Sequence, residues 1–320
     1  MRFSTSRCIA LTLVAVLSIN SRCVVAQPAG AAAQDCRIGF YQLRDGSGID
    51  IGASAGTALR WRRVDGTSGA LTADGDQWVS TTGWTGRTDD HRFTFPDCAK
   101  GLITVDGVAG HRVPFVTHEI SFESAGVQLA GRLVLPAGAD EVPLVVLVHG
   151  SEEDSARNFY ALQRLFPSQG IGAFVYDKRG TGASGGVFTH DYRQLAADAA
   201  AAIREARQLA GARAGRTGFF GMSQGGWVAP LAASQAAADY VIVGYGLAVS
   251  PFDEDDEAVT LDMTRHGFGP AEVQKALEIA HAAQAVVLSN FQAGYAQLDA
   301  VRARYAQESW VKYVRATRRK

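Results

Sequence analysis

The spacing of apolar positions changes character along this chain. Residues 36–117 carry short runs such as Ile38-Gly39-Phe40-Tyr41-Gln42-Leu43, Leu59-Arg60-Trp61-Arg62, Arg92-Phe93-Thr94-Phe95 and Leu102-Ile103-Thr104-Val105, with no helical period. Asp-Gly, Gly-Ser and Ser-Gly turn signals separate them, which predicts a small all-β domain over 27–118. Residues 127–135 alternate apolar and polar, as a half-buried antiparallel strand does. Residues 144–148, 172–176, 217–220 and 240–249 are apolar runs that suit strands buried on both faces of a parallel sheet, the last beside the third. Between them, 155–168 and 191–210 show helical spacing. In the second, Leu195, Ala199, Ala202, Ile203, Ala206 and Leu209 form the apolar stripe, with Arg193, Asp198, Glu205 and Gln208 on other faces. Strand and helix alternate, so parallel crossovers and an α/β core over 119–250 are predicted. Beyond Pro251 only helical patterning remains, over 270–289 and 291–312, before a basic tail that ends the segment 251–320.

Composition narrows the functional classes. With 47% hydrophobic residues, 20% charged residues and a net charge of −1 over 320 residues, the chain is globular, and nothing points to a nucleic-acid partner. The first 26 residues read as a signal peptide. Arg2 and Arg7 precede an apolar core from Ile9 to Ile19, and Val24-Val25-Ala26 offers small residues for cleavage. The core is too short to span a bilayer, so the expectation is an exported protein, periplasmic or secreted, without a membrane anchor. Cys8 and Cys23 leave with that segment. Cys36 and Cys98 remain, a pair that an oxidising compartment would join, stabilising the domain by roughly 4 kcal/mol on the chain-entropy model. Two buried free thiols are the alternative.

The chemistry concentrates at Thr217-Gly218-Phe219-Phe220-Gly221-Met222-Ser223-Gln224-Gly225-Gly226-Trp227. A strand runs into Gly-x-Ser-x-Gly and then into a helix that starts near Gln224. Glycines on both sides of Ser223 allow a turn sharp enough to project its hydroxyl above the sheet. The N–H of Gln224, at the helix start, faces the same point and can stabilise an oxyanion. Pro230 falls in the second turn of this helix and removes one backbone hydrogen bond. Other candidates read as structural. Trp61, Trp78 and Trp84 would form a carbohydrate-binding face or, more simply, fill the core of a domain short of aliphatic residues. His91, His111 and His118 lack ligand spacing, and Asp253-Glu254-Asp255-Asp256-Glu257 reads as a solvated helix start rather than a metal site.

Two further motifs, Leu144-Val145-Val146-Leu147-Val148-His149-Gly150-Ser151 and Asp177-Lys178-Arg179-Gly180-Thr181-Gly182, stand in order before Ser223. Together the three motifs resemble the α/β-hydrolase family, and most closely its bacterial serine esterases, over roughly 119–313. The resemblance implies an α/β-hydrolase fold with a mostly parallel sheet, a helical cap and here a small N-terminal all-β domain. It implies Ser223 as nucleophile and the N–H groups of Ser151 and Gln224 as oxyanion donors. The substrate would be a small-molecule carboxylic ester and no cofactor would be needed. The family's chain order is Ser, then Asp or Glu, then His, each after a further core strand. No apolar run after 249 supplies such strands, so the sheet is expected without its final strands and the chain as a shortened member. Asp253, just after the 240–249 run where some family members carry the acid, and His281 as base are the candidates within the sequence, although His281 and His266, the two histidines downstream of Ser223, both fall in the predicted cap. A peptidase is the alternative within the same chemistry, and a non-catalytic homologue or binding protein the alternative outside it. Oligomeric state is not legible.

Overall fold

The computed structural model describes residues 35–54, 59–246, 248–289 and 291–314. The expected signal peptide over 1–26 and the basic tail from 315 lie outside the described residues. Residues Cys36–Lys320 form one unit. It opens with eight strands: β1 (Gly39–Leu43), β2 (Gly48–Ala53), β3 (Leu59–Arg62), β4 (Ser68–Asp74), β5 (Gln77–Thr81), β6 (Thr88–Thr94), β7 (Leu102–Val105) and β8 (Val108–Arg112). Each pairs antiparallel with the next, and β1 pairs with β8, so the small all-β region closes into a barrel with no free edge. Tyr41, Ile49, Ile51, Leu71, Phe93 and Ile103 fill it, with Trp61 and Trp78. Trp84 departs from the expected core role and stands 78% exposed. Cys36 and Cys98 are joined in a disulfide across 62 residues.

The second sheet contains β9 (Val116–Ser124), β10 (Val127–Leu135), β11 (Val142–Val148), β12 (Gly172–Tyr176), β13 (Ala214–Met222) and β14 (Val241–Gly244). Their order is β14-β13-β11-β12-β10-β9. The sheet, expected to be mostly parallel with an antiparallel strand at 127–135, is mixed: β12, β11, β13 and β14 run parallel, and β10 and β9 join antiparallel. Strand β11 is central, and its alternation sends side chains to both faces. Leu144, Val146 and Val148 enter one core, whereas Val145 and Leu147 enter another. Neither face meets water, which is why this run is apolar throughout.

Helix α1 (Ala156–Phe159) and helix α2 (Leu162–Leu165) replace the single helix expected over 155–168. Tyr160 takes an extended conformation, φ −77° and ψ 109°, and breaks the ladder. The side chain of Gln163 then donates to the carbonyls of Arg157 (2.9 Å) and Tyr160 (2.7 Å) that the break leaves open. Helix α3 (Tyr192–Ala210) begins at Asp191, whose carboxylate accepts from the N–H groups of Arg193 and Gln194. Asp198 is on its buried face rather than outside, held by Arg179. Helix α4 (Gln224–Ala233) follows Ser223.

Strand β14 pairs with β13 as expected, but only four residues of the 240–249 run form it. Val241, Ile242 and Val243 are 37–46% exposed, because no described strand covers its outer side. Helices α5 (Pro251–Arg265), α6 (Pro270–Leu288) and α7 (Tyr295–Tyr305) pack on one another. Their core, including Met263, Ile279, Val286 and Trp310, draws on no residue of the sheet. No helix among the described residues is long and apolar enough to cross a membrane.

Candidate active site

Ser223 occupies the junction of β13 and α4 with φ 52° and ψ −123°, a backbone conformation that strains a residue bearing a side chain. Its neighbours explain how the turn closes. A Cβ added at Gly221 would stand 2.1 Å from the carbonyl oxygen of Gly225, and one at Gly225 only 2.0 Å from that of Val148. Both partners are backbone atoms, so glycine is required at both positions. The turn is tied by the Ser223 N–H donating to the Gly244 carbonyl (3.1 Å) and the Gly226 N–H donating to the Ser223 carbonyl (2.7 Å). Ser223 is exposed, and its side chain does not cap α4. The serine hydroxyl therefore does not compete with an incoming anion for the Gln224 N–H at the head of that helix.

The loop after β11 lies against this turn. A Cβ at Gly150 would stand 3.3 Å from Ser223 Cβ and 2.5 Å from Glu152 Oε2. Ser223 and the Glu152 carboxylate thus flank one point. Sequence reasoning passed over Glu152, because its proximity depends on how the loop after His149-Gly150 turns back. Tyr160 donates to Glu152 Oε1 at 2.5 Å and accepts from the Gly150 N–H at 3.3 Å. Partial burial works to raise the Glu152 pKa. The Tyr160 hydroxyl, its own N–H, His149 and Lys178 outweigh that and hold the carboxyl below its ordinary range. His149 is buried and donates Nε2–H to the Tyr176 carbonyl at 3.1 Å, assigning the tautomer by the acceptor it meets. Its Nδ1 has no hydrogen-bond partner. Burial, and then the charge of Lys178, push its pKa down to about 4, so it is neutral near pH 7.

The motif 177–182 organises the surroundings, one charge at a time. Asp177 accepts from the Ser155 hydroxyl (2.8 Å) and the Arg157 N–H (3.1 Å), fixing the start of α1. Lys178 Nζ donates to the Gly150 carbonyl at 2.7 Å, and burial lowers its pKa to about 8. Arg179 grips Asp198 of α3 through two hydrogen bonds, 2.8 and 2.5 Å. Gly180 and Gly182 adopt φ 71° and 52°, and a Cβ at Gly182 would press to 2.2 Å from Asp177 Oδ2. Gln224 buries its side chain, with Nε2 2.9 Å from His190 Nδ1.

A family model of X-Pro dipeptidyl-peptidases, the S15 family, matches residues 125–316. The chain belongs to that family. The S15 family is of the α/β-hydrolase clan, in keeping with the strand order and the Ser223 turn. No curated protein matches the chain. Solved structures similar to it include a hypothetical protein from Pseudomonas aeruginosa (20% identity, 48% of this chain and 55% of that one, TM-score 0.35). Another is a thermostable carboxyl esterase from Bacillus coagulans in complex with glycerol (17% identity, 48% and 52%, TM-score 0.37). A third is Est1E from Butyrivibrio proteoclasticus with bound ferulic acid (25% identity, 36% and 47%, TM-score 0.32). The chain spans about half the length of these structures.

Of the candidate residues in this S15 chain, Ser223, Ser151 and Gln224 belong to the two segments that meet. Asp253 is elsewhere engaged, its carboxylate accepting from the N–H (3.2 Å) and hydroxyl (2.9 Å) of Ser250 at the start of α5. His281, on α6, pairs with Asp256 at 2.8 Å on an exposed face. Neither shares a hydrogen bond with Ser223 or with the other.

Proposed function

We propose that the protein is a serine hydrolase that cleaves carboxylic esters through an acyl-enzyme on Ser223. One observation supports this above all: a strained, exposed serine, closed in by two glycines, lies against the loop at 149–151. Ser223 Oγ attacks the ester carbonyl, and the N–H groups of Ser151 and Gln224 receive the oxyanion. Lys178 steadies that loop by holding the Gly150 carbonyl. The Glu152 carboxylate takes the hydroxyl proton and returns it to the departing alkoxide. The bond from Ser223 Oγ to the carbonyl carbon forms first, giving the oxyanion, and its collapse breaks the carbon–oxygen bond to the alcohol. Water then repeats the sequence and frees the acid. A carboxylate with a lowered pKa is a weak base, so turnover is fastest for esters with good leaving groups.

A fluorophosphonate probe tests the nucleophile. Folded wild-type protein should be labelled, Ser223→Ala should not, and Glu152→Gln should label about 100-fold more slowly. Absence of labelling on folded wild-type protein overturns the proposal. The family match favours a second reading, cleavage of peptides after an Xaa-Pro unit. Turnover of an Xaa-Pro anilide exceeding that of 4-nitrophenyl butyrate would select it.

A further inference from the structure

A cavity of about 780 Å³ opens between the rim of the barrel and the Ser223 end of the second sheet. Met222, which precedes Ser223, and Glu152 line it on the sheet side, together with Phe159 and Leu165. Arg62, at the end of β3, and Trp84, on the turn after β5, line it on the barrel side. The two walls are fixed to one another. Arg164, the next residue but two along from Ala161 on α2, donates Nε–H and an Nη2–H to the two oxygens of Asp50 in β2, at 2.5 and 3.0 Å. Both groups are buried.

Two features of the barrel wall lack a structural reason. Trp84 is exposed yet held in place, with the guanidinium of Arg60 3.5 Å above its ring and Arg60 Nη1 donating to the Gly83 carbonyl at 2.8 Å. Arg62 has a buried Nη1 with no hydrogen-bond partner. The carboxylate beside it, Asp50, spends both oxygens on Arg164. Two guanidiniums, Arg62 and Arg164, therefore share one carboxylate, and the charge of Arg60 adds to the repulsion on Arg62. A buried N–H of a cation left without an acceptor is costly, and an anionic ligand relieves that cost.

Resting on Ser223 as the reacting centre, we propose that this cavity is the acyl pocket, and that it selects esters whose apolar acyl chain ends in a carboxylate. Arg62 receives that carboxylate, and Trp84, Phe159 and Leu165 pack the chain. The preferred substrates are then hemiesters of medium-length dicarboxylic acids, and the barrel sets the specificity.

The test separates binding from turnover. Ser223→Ala protein is titrated, by calorimetry, with the monomethyl esters of glutaric, suberic and sebacic acid and with neutral methyl alkanoates of equal length. At least one hemiester should bind about 10- to 100-fold more tightly than its neutral counterpart, the worth of one charged hydrogen-bonded pair. Adding Arg62→Met should abolish the preference, and Arg62→Lys, which keeps the charge, should retain part of it. Trp84→Ala should weaken both ligand types alike. Wild-type protein should show the same preference in kcat/KM for the 4-nitrophenyl hemiesters. Equal binding of charged and neutral ligands, or a preference that Arg62→Met leaves intact, overturns the inference whatever the turnover. A preference in binding without labelling of Ser223 would remove the hydrolase reading and leave the pocket. Equal hydrolysis of both ester types with no binding preference would do the reverse.

Discussion

Asp50 and Arg164 lie 114 residues apart, and their pair is the buried polar tie between barrel and sheet. Removing one partner of a buried ion pair typically costs about 3–5 kcal/mol, because the other charge is left in a poor solvent. Here the two removals should differ. Arg62 Nη1 and Arg164 Nη2 flank the same point beside Gly52, where an added Cβ would stand 3.5 and 2.8 Å from them. Burial and the charges of Arg60 and Arg164 hold Arg62 below the ordinary arginine range, against the pull of Asp50. Arg164→Met leaves one carboxylate facing Arg62, which can turn onto the freed oxygen, so a loss of about 2–3 kcal/mol is expected. Asp50→Asn leaves Arg62 and Arg164 without a counter-charge, and the loss should be about 4–5 kcal/mol. Denaturant unfolding of disulfide-intact protein, followed by the fluorescence of buried Trp61 and Trp78, reads both at constant slope. The double variant Arg62→Met/Arg164→Met should lose about 2 kcal/mol more than the sum of its single changes, since the substitute cation is gone. If Arg164→Met costs as much as Asp50→Asn, or the double variant is additive, the charge count around Asp50 does not govern this interface.

Two further predictions concern the site. Gly225→Ala forces a methyl group against the Val148 carbonyl, 2.0 Å away. The strand end must move by about 1 Å, which should lower kcat/KM about 100-fold while costing about 1–3 kcal/mol; an unchanged kcat/KM in the folded variant refutes the tight approach. His149 has its folded pKa lowered from 6.5 to about 4. As pH falls from 6.5 toward 4, the unfolded chain binds a proton that the folded one refuses, so stability falls with pH in that window. The difference between wild type and His149→Gln should shrink by up to about 3 kcal/mol there and stay flat above pH 7. A difference independent of pH would mean that His149 is solvated.

What the sequence displayed well was local. The glycines around Ser223 announce a tight turn because only backbone contacts at 2.0 and 2.1 Å demand their absence of a side chain. The run at 144–148 announces a central strand because both faces are dry. Asp191 announces a helix start because its carboxylate accepts within three residues. Pairings distant in sequence left no such mark. Asp198 reads as a polar-face residue until Arg179 is seen against it, and Glu152 reads as a loop acid until Gly150 and Tyr160 fold it toward Ser223. The helix expected at 155–168 failed for a similar reason. Gln163 satisfies the carbonyls of a break, and periodicity records only which positions are apolar. The run at 240–249 reads as buried because its residues are apolar, whereas burial depends on a neighbour that the pattern does not encode.

That last strand bears on the nucleophile. A non-glycine residue at φ 52° and ψ −123° stores on the order of 1–3 kcal/mol, which persists only if the surroundings hold it. Two bonds hold it here, from the Gly226 N–H and to the Gly244 carbonyl. The first belongs to the opening of α4, which is packed against the sheet through Val228, Ala229 and Ala232. The second belongs to the end of β14, whose side chains stand half in water and whose outer edge meets no described strand. Edge strands exchange and fray at lower free energy than central ones. The reactive geometry of Ser223 is therefore anchored firmly on its helix side and loosely on its strand side. A change that stiffens the end of β14 should therefore tighten the serine without touching it.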